Sequence, residues 1–218
     1  MKTKPELYIP KVYSQHEEKL NVLSHAFGLL LSIVALVFLV VRAVNYGDAW
    51  HIVSFSIYGA SMIMLYLAST LFHASKNPVR RRRLNIFDHA SIFILIAGTY
   101  TPYLLVTLNG PWGWSLFGVV WGIALVGVVL KIFYTGRFRL ASTIMYVLMG
   151  WVIIIAVKPL VQNLEPGGLW LLVIGGILYM VGAALYMIQK IPYNHAIFHL
   201  LVLLGSASHF FSIYFFVV

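Results

Sequence analysis

Apolar runs dominate the chain, and charged residues interrupt them at intervals close to the thickness of a bilayer. A spanning helix takes about 20 apolar residues. Lys19 to Arg42 encloses one such run and Asp48 to Lys76 a second. The uncharged stretch from Asp88 to Lys131 has room for two more, with "LNGPWGW" (Leu108–Trp114) as the turn between them. Arg139 to Lys158 gives a fifth run, Glu165 to Lys190 a sixth, and the residues from Lys190 to Val218 a seventh. The pattern predicts an all-α membrane protein with seven transmembrane helices. Residues 1–20 form a short polar segment and residues 21–218 a single transmembrane domain. Three local signals refine this picture. Ser14 with Glu17 fits a capping box and starts a helix near Gln15. Pro102, in "GTYTPYLL", should bend the third helix. "GVVWG" (Gly118–Gly122) has the small-residue spacing that lets helices approach closely.

Composition agrees with the pattern. The 218 residues are 61% hydrophobic and 10% charged, against about 25% charged in a soluble domain. The first apolar run lacks a small-residue cleavage site, so no secretory signal is expected. There is no Cys, which excludes disulfides and thiolate chemistry and leaves His, Asp and Glu to hold any metal. The net charge of +9 lies between the apolar runs, where it meets lipid head groups, and no nucleic-acid partner is expected. Lys2, Lys4, Lys11, Lys19, Lys76, Arg80–Arg83, Lys131, Arg137, Arg139 and Lys190 all fall on one side, against Arg42 and Lys158 on the other. The excess of basic residues on the inner side predicts a cytoplasmic N-terminus and an outer C-terminus.

Ionisable groups inside such helices are costly and mark function. His73 closes the second span, Asp88 opens the third, and His195 and His199 begin the seventh. At 1.5 Å per residue all four lie roughly 5–14 Å inward from the cytoplasmic charges. His195 and His199 are i and i+4, so they share a face and can bind one ion; Ser69 and His73 have the same spacing. Three imidazoles and a water make an open tetrahedral zinc site, with Asp88 placed to orient the water. Iron and manganese are the alternatives. His209, ten residues past His199, is too far to join them and reads as structural. His89 should face a neighbour rather than the site. His16 and His51 are expected in solvent, and His25 is left open as a further polar partner.

These residues resemble a known group. "STLFH" (Ser69–His73), "FDH" with Asp88, and "HAIFH" (His195–His199) look like the signatures of the CREST superfamily of seven-helix membrane hydrolases. That superfamily includes alkaline ceramidases and the progestin and adipoQ receptors. "EEKLNVLSHAFG", "IAGTYTPYLL" and "IPYNHAIFH" resemble its bacterial haemolysin III branch, from Glu17 to Phe216. The resemblance implies zinc on His73, His195 and His199, a water held by Asp88, and Ser69 beside the site, in a multi-pass protein of a bacterial inner membrane. The receptors carry a longer N-terminal domain, so receptor signalling is not expected here.

A three-histidine zinc ion with a carboxylate beside it suits metal-assisted hydrolysis. Its depth meets the acyl linkages of membrane lipids, so an acyl lipid is the expected substrate. The resemblance favours ceramide-like amides, and an ester is the other choice. Asp88 and Ser69 are the expected catalytic residues. Two other readings stay open: a membrane-homeostasis or sensing protein with structural zinc, and, more weakly, a cytolysin. A homo-oligomer also stays open.

Overall fold

The computed structural model describes residues 10–217. Lys2, Lys4 and Val218 lie outside the described residues, so their place in the charge pattern and at the chain end stays an expectation. Among the described residues there is no strand, and seven helices are long and apolar enough to cross a membrane. They are α1 (Gln15–Tyr46), α2 (Ala49–Ala74), α3 (Pro78–Pro102, prolonged by a π-helical turn over Tyr103–Leu108), α4 (Gly110–Tyr134), α5 (Arg139–Gly150) with α6 (Val157–Asn163), α7 (Pro166–Met187) and α8 (Asn194–Phe216). The fifth span is thus made of two helices.

Local chemistry sets several of these boundaries. Ser14 caps α1 by accepting from the Glu17 N–H at 3.2 Å. The reciprocal half of the expected capping box is replaced: the Glu17 carboxylate accepts from the His195 N–H of α8 at 3.3 Å. Asp48 caps α2, accepting from the Trp50 and His51 N–H groups. His51 is therefore not a solvated side chain, as its position suggested, but a capping partner whose side chain is 14% exposed. The hydrogen bond from His51 holds the Asp48 carboxyl below its ordinary range. Pro102 has no N–H to give to α3, and the chain after it widens into the π turn. That turn ends at Asn109 and Gly110, which both take positive φ.

The fifth span departs from the single helix expected between Arg139 and Lys158. It breaks at Trp151 into a 3₁₀ turn (Val152–Ala156), and Lys158 lies inside α6. The cause is the Tyr100 side chain of α3. Its hydroxyl donates to the Gly150 carbonyl at 2.8 Å and accepts from the Ile153 N–H at 3.1 Å. Backbone groups freed inside a membrane must be satisfied by protein, and Tyr100 meets that need.

Packing is most extensive between α1 and α2, α2 and α3, and α7 and α8, and α1 against α8 closes the bundle. Gly98 lets α3 approach α2: a Cβ there would strike Ser61. The "GVVWG" segment plays no such part, because Gly118 and Gly122 are exposed and nothing lies within 4 Å of either Cβ position. The spacing is present, but it faces away from every neighbouring helix. The fifth span packs loosely, and a cavity of about 700 Å³ opens between it and α3, α7 and α8.

Candidate metal centre

His73 comes from the last turn of α2, and His195 and His199 from the first turns of α8. The sequence separates His73 from the other two by more than a hundred residues, and the fold brings the three imidazoles together. Nε2 of His195 lies 3.1 Å from Nε2 of His73 and 3.1 Å from Nε2 of His199. One ring nitrogen from each lies within 4.8 Å of the others, and all three residues are buried. A tetrahedral ion with metal–nitrogen bonds of about 2.0–2.1 Å separates its nitrogens by about 3.3–3.4 Å. The cluster can therefore hold a metal ion with small adjustments.

The opposite ring nitrogens show which lone pairs face the centre. His73 Nδ1 donates to Glu18 Oε2 at 2.7 Å, and His199 Nδ1 donates to the Asn21 carbonyl at 3.3 Å. In each ring this leaves Nε2 unprotonated and pointing at the other histidines, as a ligand requires. Bare imidazole nitrogens repel one another at such distances, and a cation between them removes the repulsion. His195 is covered by Tyr13, whose ring stacks on it at 4.6 Å. Burial pushes the Tyr13 phenol above its ordinary pKa, so it covers the site as a neutral ring.

A second layer of polar contacts holds the His73 ring. Glu18 also pairs with Arg81 of α3, which donates to the carbonyls of Lys11, Phe72, His73 and Ser75. One carboxylate thus ties the start of α1 to the α2–α3 corner and to a ligand. Glu17 and Glu18 fall within residues 1–20, the segment expected to be polar, and Glu17 was expected only as part of a capping box. The signal was present: Glu17, Asn21, His25, Gly28 and Ser32 recur at three- and four-residue steps and form the buried face of α1.

Asp88 and Ser69 line the large cavity together with His195 and His199. Among the described residues neither makes a hydrogen bond or ion pair with the three imidazoles. The nearest charged contact of Asp88 is His89 Nδ1 at 3.8 Å, and Ser69 Oγ has no hydrogen-bond partner. Both nitrogens of His25 also lack partners; its ring stacks on His199 at 3.5 Å and lines the cavity. A buried polar atom left unpaired costs about 1–3 kcal/mol, so these groups suit a polar ligand or water. His89 lines the cavity too, against the expectation that it turns away, because the cavity is wide enough to meet adjacent positions of α3. His209 stands apart, as expected, donating to the Leu172 carbonyl at 3.1 Å.

Comparison with known proteins agrees. The chain is 52% identical over 207 residues to "Hemolysin-3 homolog" of Bacillus subtilis (strain 168), covering 95% of this chain and 97% of that one. It is 50% identical over 202 residues to "Hemolysin-3" of Bacillus cereus, covering 93% and 92%. At greater distance it is 28% identical over 213 residues to "Monocyte to macrophage differentiation factor" of Homo sapiens, covering 95% and 86%. The family profile described as "Haemolysin-III related" matches residues 13–210, and the chain belongs to that family of multi-pass membrane proteins.

Proposed function

We propose that the protein is a zinc-dependent hydrolase of amide or ester bonds in membrane acyl lipids, working from the cytoplasmic side. The observation that supports it most is the convergence of three Nε2 atoms beside a lipid-sized cavity whose wall holds two of those histidines, His195 and His199, together with Asp88 and Ser69. His73, His195 and His199 are the ligands. Zinc in such a site supplies Lewis acidity, which lowers the pKa of water to about 7 and polarises a carbonyl. Asp88 has no ion-pair partner closer than 3.8 Å and is free to accept a proton from water and return it to the leaving group. Ser69 Oγ, unpaired and buried, donates to the carbonyl oxygen as its charge grows.

The test is Asp88→Asn in purified protein given acyl-labelled lipids. The variant retains wild-type zinc content and releases no fatty acid, whereas wild type does. Burial of all three histidines and their closure by Glu18 and Arg81 favour one competing reading, a structural zinc in a membrane-homeostasis or sensing protein. That reading has Asp88→Asn leaving function intact and wild type releasing nothing from any lipid. Cytolysis, suggested by the names of the Bacillus relatives, calls for a polar stripe through the bundle. The polar groups available for one are already bonded: Ser206 to Tyr66 and Tyr179, and Ser208 to the Leu171 carbonyl.

A further inference from the structure

We propose that the cavity mouth at the α4–α5 connection binds the phosphate of an anionic membrane lipid through Lys131 and Arg137, with an acyl chain of that lipid lying in the cavity. Lys131 carries the argument. It is in the last turn of α4, is 5% exposed, and lines the cavity. Among the described residues its ammonium has no hydrogen-bond acceptor and no ion pair; the Tyr146 ring, at 5.5 Å, is its one recorded partner. A lysine that merely snorkels to the head-group layer keeps its ammonium in bulk water, whereas the Lys131 residue is largely enclosed by the bundle and borders the cavity. The contrast with Arg81 is direct. Arg81 is 6% exposed and is met by four carbonyls and the Glu18 carboxylate. A buried cation without an acceptor is costly, and an anion arriving from outside the chain removes the cost.

Arg137 provides the second cation. It lines the same cavity at an exposed position and makes no side-chain hydrogen bond or ion pair among the described residues. Its loop is held in an unusual shape, with Gly136 at φ +85° and Phe138 at φ +54°. Arg139 also borders the cavity, but its guanidinium already donates to the Tyr186 carbonyl at 2.9 Å and stacks on the Tyr186 ring. Asp88 is the one acid on the cavity wall, and no ion pair joins it to Lys131. Two cations from separate elements suit the non-bridging oxygens of a phosphate, each oxygen taking its own donor. Most of the remaining wall, including Ile92, Leu95, Val147, Ile154 and Val173, is apolar, which favours a lipid over free phosphate. Lys131 and Arg137 belong to other elements than the three histidines, and the proposal holds whether or not lipid is cleaved in the cavity they share.

The test uses purified, delipidated protein and native mass spectrometry. Short-chain phosphatidylglycerol, phosphatidylcholine of equal chain length, and inorganic phosphate are titrated separately. Wild type binds the phosphatidylglycerol about tenfold tighter than the phosphatidylcholine, and millimolar inorganic phosphate does not displace it. Lys131→Gln and Arg137→Gln each weaken phosphatidylglycerol about fivefold, the effect of one interfacial cation. Arg80→Gln, which removes an exposed charge at the start of α3, leaves binding unchanged. Zinc content is unaltered throughout, and lipid-free Lys131→Gln melts at or above wild type because a buried unpaired cation is gone. Equal binding of the two lipids, displacement by inorganic phosphate, an equal loss in Arg80→Gln, or a Lys131→Gln protein that melts well below wild type would each overturn the proposal.

Discussion

Glu18 offers a way to separate the fold from the metal centre. Its two oxygens have different duties: Oε1 pairs with Arg81, and Oε2 accepts from His73 Nδ1 at 2.7 Å. Glu18→Ala removes both. Breaking a buried pair costs about 3–5 kcal/mol; the Glu18 side chain is 16% exposed and that of Arg81 8%, so a loss just below that range, about 2–3 kcal/mol, is expected. In a chain of this size that lowers the melting temperature by several degrees. Loss of an outer partner of a ligand costs about 10–100-fold in metal affinity. Glu18→Gln is the sharper variant. With its oxygen on Arg81, its amide group faces His73 Nδ1 as a donor and drives the ring proton to Nε2, the atom that faces the centre. The metal-free melting temperature then stays close to wild type, while zinc affinity falls about 10–100-fold. Competition against a chromophoric chelator measures the affinity, and melting in excess chelator measures the fold. A Glu18→Gln protein that binds zinc as wild type does would refute the role assigned to this carboxylate.

Two further substitutions test the scaffold. Tyr100→Phe strands the Gly150 carbonyl and the Ile153 N–H inside the fifth span; we expect about 1–3 kcal/mol of lost stability, read as a lower melting temperature, and no change would show that the break does not need Tyr100. Gly98→Leu drives a side chain into Ser61 where α2 and α3 meet, and we expect loss of the monodisperse peak in size-exclusion chromatography. A wild-type profile would contradict the packing.

The seven spans were legible because lipid imposes a coarse rule, and charges at Arg42, Asp48, Lys76 and Glu165 mark where the chain leaves it. His73, His195 and His199 were legible for a related reason: polar groups in apolar helices stand out, and matched depth restricts which can meet. Tertiary geometry was not legible in the same way. The break at Trp151 depends on a tyrosine fifty residues earlier, which no pattern within the fifth span reveals. The bond from His73 to Glu18 was not legible, because Glu18 falls in the polar segment of residues 1–20, although its neighbour Glu17 shares the period of the buried face of α1. "GVVWG" failed for the opposite reason, since spacing fixes which residues share a face but not what that face meets.

X-ray absorption at the zinc edge of purified wild-type protein, beside the His195→Ala/His199→Ala variant, bears on the centre most directly. We expect one zinc per chain in the wild type, with nitrogen neighbours at about 2.0–2.1 Å, and none in the variant. A wild type free of zinc and of any other divalent metal, or a variant that retains its ion in the same shell, would contradict the account.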